Sequence, residues 1–180
     1  MLDSSFDEFV AGHVAALDRY AYALTGDRYA ADDLVQETLV RVAGAWRRVR
    51  RDGNPTGYAT TVMFRTYVSW WRRRRRAPDP LELVADPVSE TDAYASVDAR
   101  LTLRRALRHL PPLQRAVLVG TYLRDHDDKE IAEMIGRSPA TVRSLRHRAL
   151  KALSDAIGID ATGEPTKEVN DGESGVPVAG

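Results

Sequence analysis

Phe6, Phe9, Val10, Val14, Leu17, Ala21 and Leu24 recur at the spacing of an α-helix, and no stretch of the chain shows convincing strand alternation. The same period restarts after each of several punctuation marks. Thr25-Gly26-Asp27 offers a glycine to end one helix and an aspartate to cap the next, whose stripe runs through Val35, Leu39, Val42 and Trp46. Asn54-Pro55 reads as N-cap plus first helical residue of a third helix, ending in the run Arg72–Arg76 and burying some of Tyr58, Val62, Met63, Val68 and Trp71. Residues 77–96 hold Pro78, Pro80 and Pro87, each disfavouring helix at the residue before it, and read as a linker. Near Val97 helical spacing returns through Leu101, Leu103, Ala106, Leu107 and Leu110, then, beyond Pro111-Pro112, through Leu113, Ala116, Val117, Val119 and Tyr122. The fold class is therefore all-α: two small helical domains at 1–76 and 97–157, a linker at 77–96, and a polar, glycine-containing tail at 158–180 expected to be disordered.

The most specific motif spans Asp127 to Leu150. Asp127 followed by Glu130 is an aspartate form of the capping box. Ile131, Met134 and Ile135 give that short helix one apolar side, Gly136 ends it, and Ser138-Pro139 starts the next. Two helices joined by about three residues including glycine form a helix-turn-helix, whose second helix can enter a major groove. Val142, Leu145 and Ala149 face inward in this reading, leaving Arg143, Ser144, His147 and Arg148 for base edges and phosphates. In the first block, Tyr58, Phe64, Tyr67, Trp70 and Trp71 interleave with Arg65 and the Arg72–Arg76 run, a pattern suited to stacking on unpaired bases while gripping their backbone. Part of those rings belongs to the core. Asp32, Asp33, Gln36 and Glu37 crowd two turns of the second helix, either as acids near a helix start or as a docking face.

Charge sharpens the picture. The 26 basic and 26 acidic residues cancel, which by itself disfavours a nucleic-acid partner. In order, however, residues 1–40 carry eight acids and two bases, 41–76 one acid and eleven arginines, and 77–100 six acids and one base. Residues 101–153 then carry eleven bases and five acids, and 154–180 six acids and one lysine. Two basic blocks flanked by acid point to polyanion binding at particular surfaces. The absence of cysteine excludes a disulfide framework and a thiol nucleophile. No apolar run is long enough to span a bilayer, and the acidic start is no signal peptide, so a cytoplasmic protein without membrane insertion is expected. His13, His109, His126 and His147 lack metal-ligand spacing, and no nucleophile–base pair stands out, so neither enzyme nor cofactor is expected. Asp125, Asp127 and Asp128 are read as a polar turn and cap rather than a divalent site.

Taken together, Ala31-Asp32-Asp33-Leu34-Val35-Gln36-Glu37-Thr38, Trp70-Trp71-Arg72-Arg73-Arg74, Leu110-Pro111-Pro112-Leu113-Gln114-Arg115-Ala116-Val117, Glu130-Ile131-Ala132 and Thr141-Val142-Arg143-Ser144 resemble an extracytoplasmic-function (ECF, group 4) sigma factor of the sigma-70 family. The likeness covers residues 5 to about 155. It implies a sigma-2-like bundle and a sigma-4-like helix-turn-helix domain, no catalytic residues, and RNA polymerase core, promoter DNA and an anti-sigma factor as partners. It places Asp32, Asp33, Gln36 and Glu37 on the polymerase. Asn54, Tyr58, Arg65, Trp70, Arg72 and Arg73 fall on the unpaired −10 strand. Ser138, Thr141, Arg143, Ser144, Arg146, His147 and Arg148 fall on the −35 duplex. The acidic linker residues Asp79, Glu82, Asp86, Glu90 and Asp92 would thread the polymerase channel, and nucleoid association would follow polymerase binding. The rival reading is a stand-alone helix-turn-helix regulator whose first block senses or dimerises.

Overall fold

Local capping sets where the helices begin and end. The computed structural model describes residues 4–76 and 98–158; the expected linker and all of the expected tail beyond Gly158 lie outside the described residues. In the first half, α1 (Ser4–Thr25), α2 (Arg28–Arg51) and α3 (Pro55–Arg76) form a bundle. Gly26 takes a left-handed φ of 71° at the α1–α2 turn. Asp27 then caps α2 by accepting from the Ala30 N–H at 2.7 Å. Asn54 does the same for α3 through the Gly57 N–H at 2.8 Å. Phe6, Phe9 and Trp46 clasp α1 to α2, with Trp46 edge-on to Phe6 at 5.2 Å and its indole N–H donating to Ser5 Oγ at 3.0 Å. Burying rings of this size contributes on the order of 2–3 kcal/mol each.

The second half comprises α4 (Asp98–His109), α5 (Pro112–Arg124), α6 (Asp128–Ile135) and α7 (Pro139–Ile157). The capping box is present as read: Asp127 accepts from the Lys129 and Glu130 N–H groups while Glu130 accepts from the Asp127 N–H. Gly136 adopts a left-handed φ of 62°, and Ser138 caps α7 through the Thr141 N–H. Val142, Leu145 and Ala149 are buried, as their period requires.

The halves do not stand apart. One continuous core joins Leu17, Leu24, Met63 and Phe64 to Ala116, Val117, Ile131 and Ile135. Helix α5 runs at its centre, in contact with α1, α3, α6 and α7, so Arg115 to Gly120 are all buried irrespective of helical period. That environment corrects the expectation for Tyr122, which emerges at the end of α5 and is 58% exposed. Val14 and Leu103 likewise sit at the margins of their stripes, 39% and 41% exposed. Among the described residues no helix is long and apolar enough to cross a membrane.

Candidate docking and nucleic-acid interfaces

Three surfaces gather the residues singled out by sequence. On α2, Asp32, Asp33 and Gln36 are exposed on the face opposite Leu34, Val35 and Thr38. Tyr29 and Val40, 83% and 74% exposed, flank these residues along the same helix. Glu37 is half-buried at the edge of that face. It accepts from Arg41 at 2.6 Å and from the Trp70 indole N–H at 2.8 Å, so it ties α2 to α3. Burial pushes its carboxyl up, but the hydrogen bonds from Arg41 and Trp70 outweigh that and hold it below its ordinary value.

On α3 the structure separates the aromatics into two groups. Phe64 and Tyr67 are buried in the core, so the expectation that they stack on bases is corrected: the face of α3 they occupy packs on α5. Tyr58, Trp70 and Trp71 remain partly exposed, and Arg65 and Arg73 are exposed. Arg48 lies over the Tyr58 ring at 5.9 Å, which brings the α2 arginines next to the start of α3 and the exposed Asn54. Arg72 is drawn away from this surface and donates to the Ile135 carbonyl at the end of α6.

On α7, Arg143, Ser144, His147 and Arg148 form an exposed row. Arg146 does not join it. It is ion-paired with Asp128 at the start of α6, because its side chain leaves α7 on the α6 side, whereas Arg143 reaches the same carboxylate only at 3.9 Å and stays 60% exposed. Ser138 and Thr141 spend their side chains on the α7 cap, with their hydroxyls 3.0 Å apart. The hydrogen bond from the Glu130 N–H holds the Asp127 carboxyl below its ordinary value, with the Lys129 N–H adding to it, so the cap is charged throughout the neutral range.

The sequence itself carries the family signature in two pieces. The family model for sigma-70 region 2 matches residues 9–77, and that for sigma-70 region 4 matches residues 100–153. The RNA polymerase sigma-E factor of Streptomyces avermitilis is 34% identical over 152 residues, 84% of this chain and 84% of that one. The ECF RNA polymerase sigma factor SigL of Mycobacterium tuberculosis is 34% identical over 149 residues, 78% of this chain and 82% of its own. The chain belongs to the ECF sigma factors of the sigma-70 family. The fold agrees: the sigma factor RpoE of Bartonella quintana, solved in complex with the anti-sigma factor NepR, superposes with a TM-score of 0.65 over 88% of this chain and 99% of that one, at 23% identity.

In this sigma factor the first two surfaces are neighbours, linked by the Glu37–Trp70 bond, and α7 belongs to the other half. Sequence reasoning missed Arg115. It is 6% exposed and donates from Nε to the Leu24 carbonyl at 2.7 Å, from one terminal nitrogen to the Arg108 carbonyl at 3.1 Å, and from the other to Tyr67 Oη at 3.2 Å. A signal was available: Arg115 directly precedes the apolar run Ala116–Val119, which leaves that turn of the helix no polar face to turn toward solvent.

Proposed function

We propose that this chain is a transcription initiation factor that binds RNA polymerase core and directs it to promoters, reading the −10 element as an unpaired strand and the −35 element as duplex. The observation that carries the reading is the pairing of an exposed acidic α2 face with an adjacent aromatic and arginine face on α3. A stand-alone regulator has no use for that first surface. Asp32, Asp33 and Gln36, with Glu37 at their edge, dock on the polymerase. Asn54, Tyr58, Arg65, Trp70 and Arg73 meet the melted strand, where bases stack and arginines neutralise phosphates, and Arg72 joins them once freed from Ile135. Arg143, Ser144, His147 and Arg148 enter the −35 major groove, where an arginine can bond two acceptors of one guanine. Arg146 acts through Asp128, bracing α7 on α6, and Ser138 and Thr141 act through the cap. The division into a region 2 half at 1–76 and a region 4 half at 97–157 follows the same surfaces, and the factor works in the cytoplasm without turnover of its own. Because the RpoE neighbour is bound by NepR, we include an anti-sigma factor among its partners.

Run-off transcription from genomic fragments, with purified core with and without the protein, tests this reading. Protein-dependent transcripts whose start sites share two upstream elements support it. Sequence-specific duplex retention by the protein alone, with no effect on core, refutes it in favour of the stand-alone regulator.

A further inference from the structure

A cavity of about 190 Å³ lies where the end of α5 meets α1 and the start of α3. Leu17 and Tyr20 of α1 form its buried floor, Thr56 of α3 one wall and Arg124 of α5 another, with Arg19 and Leu123 exposed at the rim. That volume is below the roughly 300–1,000 Å³ of a drug-sized site and suits a single ring or short chain with a polar head. None of these side chains belongs to the docking and nucleic-acid surfaces described above.

Two polar atoms on residues lining the cavity have no use within the fold. Tyr20 is 5% exposed, and its buried Oη has no hydrogen-bond partner among the described residues. Arg124 Nε is buried and unpartnered in the same way, while the guanidinium lies 5.8 Å from the centre of the Tyr20 ring. Burial pushes the Tyr20 hydroxyl up, with Arg124 opposing it only in part, so the group is a donor throughout the neutral range. Other polar groups around the cavity are spent locally. Thr60 Oγ1 donates to the Thr56 and Gly57 carbonyls, and His13 Nδ1 pairs with the Phe9 carbonyl. Buried polar groups are normally satisfied, so a tyrosine hydroxyl and an arginine Nε without acceptors of their own select a ligand that brings acceptors.

Charge narrows the class. Arg19 and Arg124 line the cavity and no carboxylate does; Asp18, beside Arg19 in the chain, is turned to Arg28 at 3.7 Å. Thr56 stands in the first turn of α3, where the N-terminal end of a helix carries partial positive charge. Leu17, Leu123 and the Tyr20 ring supply an apolar surface beside these donors.

We propose that this cavity binds a small organic anion, its carboxylate or phosphate head set against Arg124, Tyr20 Oη and the start of α3, and its apolar body against Leu17 and Leu123. The site is independent of promoter reading, and its test uses neither polymerase nor promoter.

Phenyl phosphate and benzoate are the probes, with inorganic phosphate and benzyl alcohol as controls that lack the body or the charged head. In amide NMR titrations of the full chain, at least one of the two organic anions should give saturable shifts at Leu17–Tyr20, Thr56 and Leu123–Arg124. Both controls should bind at least about tenfold more weakly. Tyr20→Phe removes a buried hydroxyl that bonds to nothing, so its melting temperature should equal or exceed that of wild type. The same change should weaken anion binding about tenfold or more, the effect of a lost hydrogen bond to a charged acceptor. Arg124→Met, with its fold checked by far-UV circular dichroism, should weaken binding at least as much. No saturable shift with either organic anion, benzyl alcohol binding as tightly as benzoate, or binding undiminished in either folded variant overturns the proposal. A Tyr20→Phe protein melting several degrees below wild type overturns it too, since the hydroxyl would then already be satisfied. So does a single-stranded oligonucleotide that shifts the same amides at lower concentration than the probes, which would assign the cavity to the DNA backbone.

Discussion

Phe64 separates two accounts of α3 that a sequence cannot distinguish, and Phe64→Ala tests them. As an aromatic beside arginines it suits base stacking; in the structure it is fully buried, with its ring against Gly120 and edge-on to His126 at 6.5 Å. Truncating a fully buried phenylalanine costs about 3–5 kcal/mol, part from lost transfer energy and part from the cavity left behind. Against a total stability on the order of 5–15 kcal/mol, that is a large fraction. For a folded body of this size each kcal/mol moves the melting temperature by roughly 3–6 °C, so a fall of about 10–30 °C is expected. Because the ring bridges the halves, amides of α5 and α3 should lose exchange protection together. Phe64→Leu, which keeps most of the apolar volume, should recover most of the stability. Thermal melts followed by far-UV circular dichroism, with hydrogen exchange on the same variants, give the readout. A Phe64→Ala protein melting within about 2 °C of wild type, yet selectively defective in promoter melting, would refute the buried placement and restore the stacking role.

Four further outcomes are expected. Asp33→Arg should abolish co-purification with polymerase core while leaving the circular dichroism unchanged, since the side chain is exposed and makes no core contact. Arg148→Ala should lower the slope of log K against log salt for −35 duplex binding by holoenzyme by about 0.9, one phosphate's worth, whereas Arg146→Ala should chiefly lower thermal stability by releasing Asp128. Asp127→Ala should raise amide exchange in α6 selectively, because both N-cap bonds, from the Lys129 and Glu130 N–H groups, end on its carboxylate. The folded-state value of the Glu37 carboxyl is depressed, so its contribution to stability is fully present above the ordinary carboxyl range and is lost as pH falls through the lower folded value. An acid-side change in tryptophan fluorescence should therefore appear below the usual glutamate range and vanish in Glu37→Gln.

What was legible in the sequence and what was not divides along a physical line. Caps are local, so Asp27, Asn54, Asp127, Gly136 and Ser138 could be assigned from neighbours within four residues, and the structure has each in that role. Faces of peripheral helices were equally legible: a one-sided period told Val142, Leu145 and Ala149 from the exposed Arg143, Ser144, His147 and Arg148. Central helices defeat that logic. Once α5 is surrounded, Arg115 is buried next to Ala116 whatever its angle on the helix, and only the pairing of distant helix ends explains how its donors are satisfied. The candidate site shows the same boundary. A residue that must meet a macromolecule has to leave the core, and the helical period identifies that exposed face. The period cannot reveal whether another part of the same chain already occupies it. Glu37, bonded to Trp70, Arg72, bonded to Ile135, and Arg146, paired with Asp128, are site residues held this way. The chemistry of helix ends supplies the reason such occupation of Arg72 is tolerable. An arginine set against helix-end carbonyls is held by partial charges, which a phosphate carrying a full charge can displace. The Ile135 carbonyl can therefore hold Arg72 without placing its guanidinium beyond the reach of a fully charged phosphate.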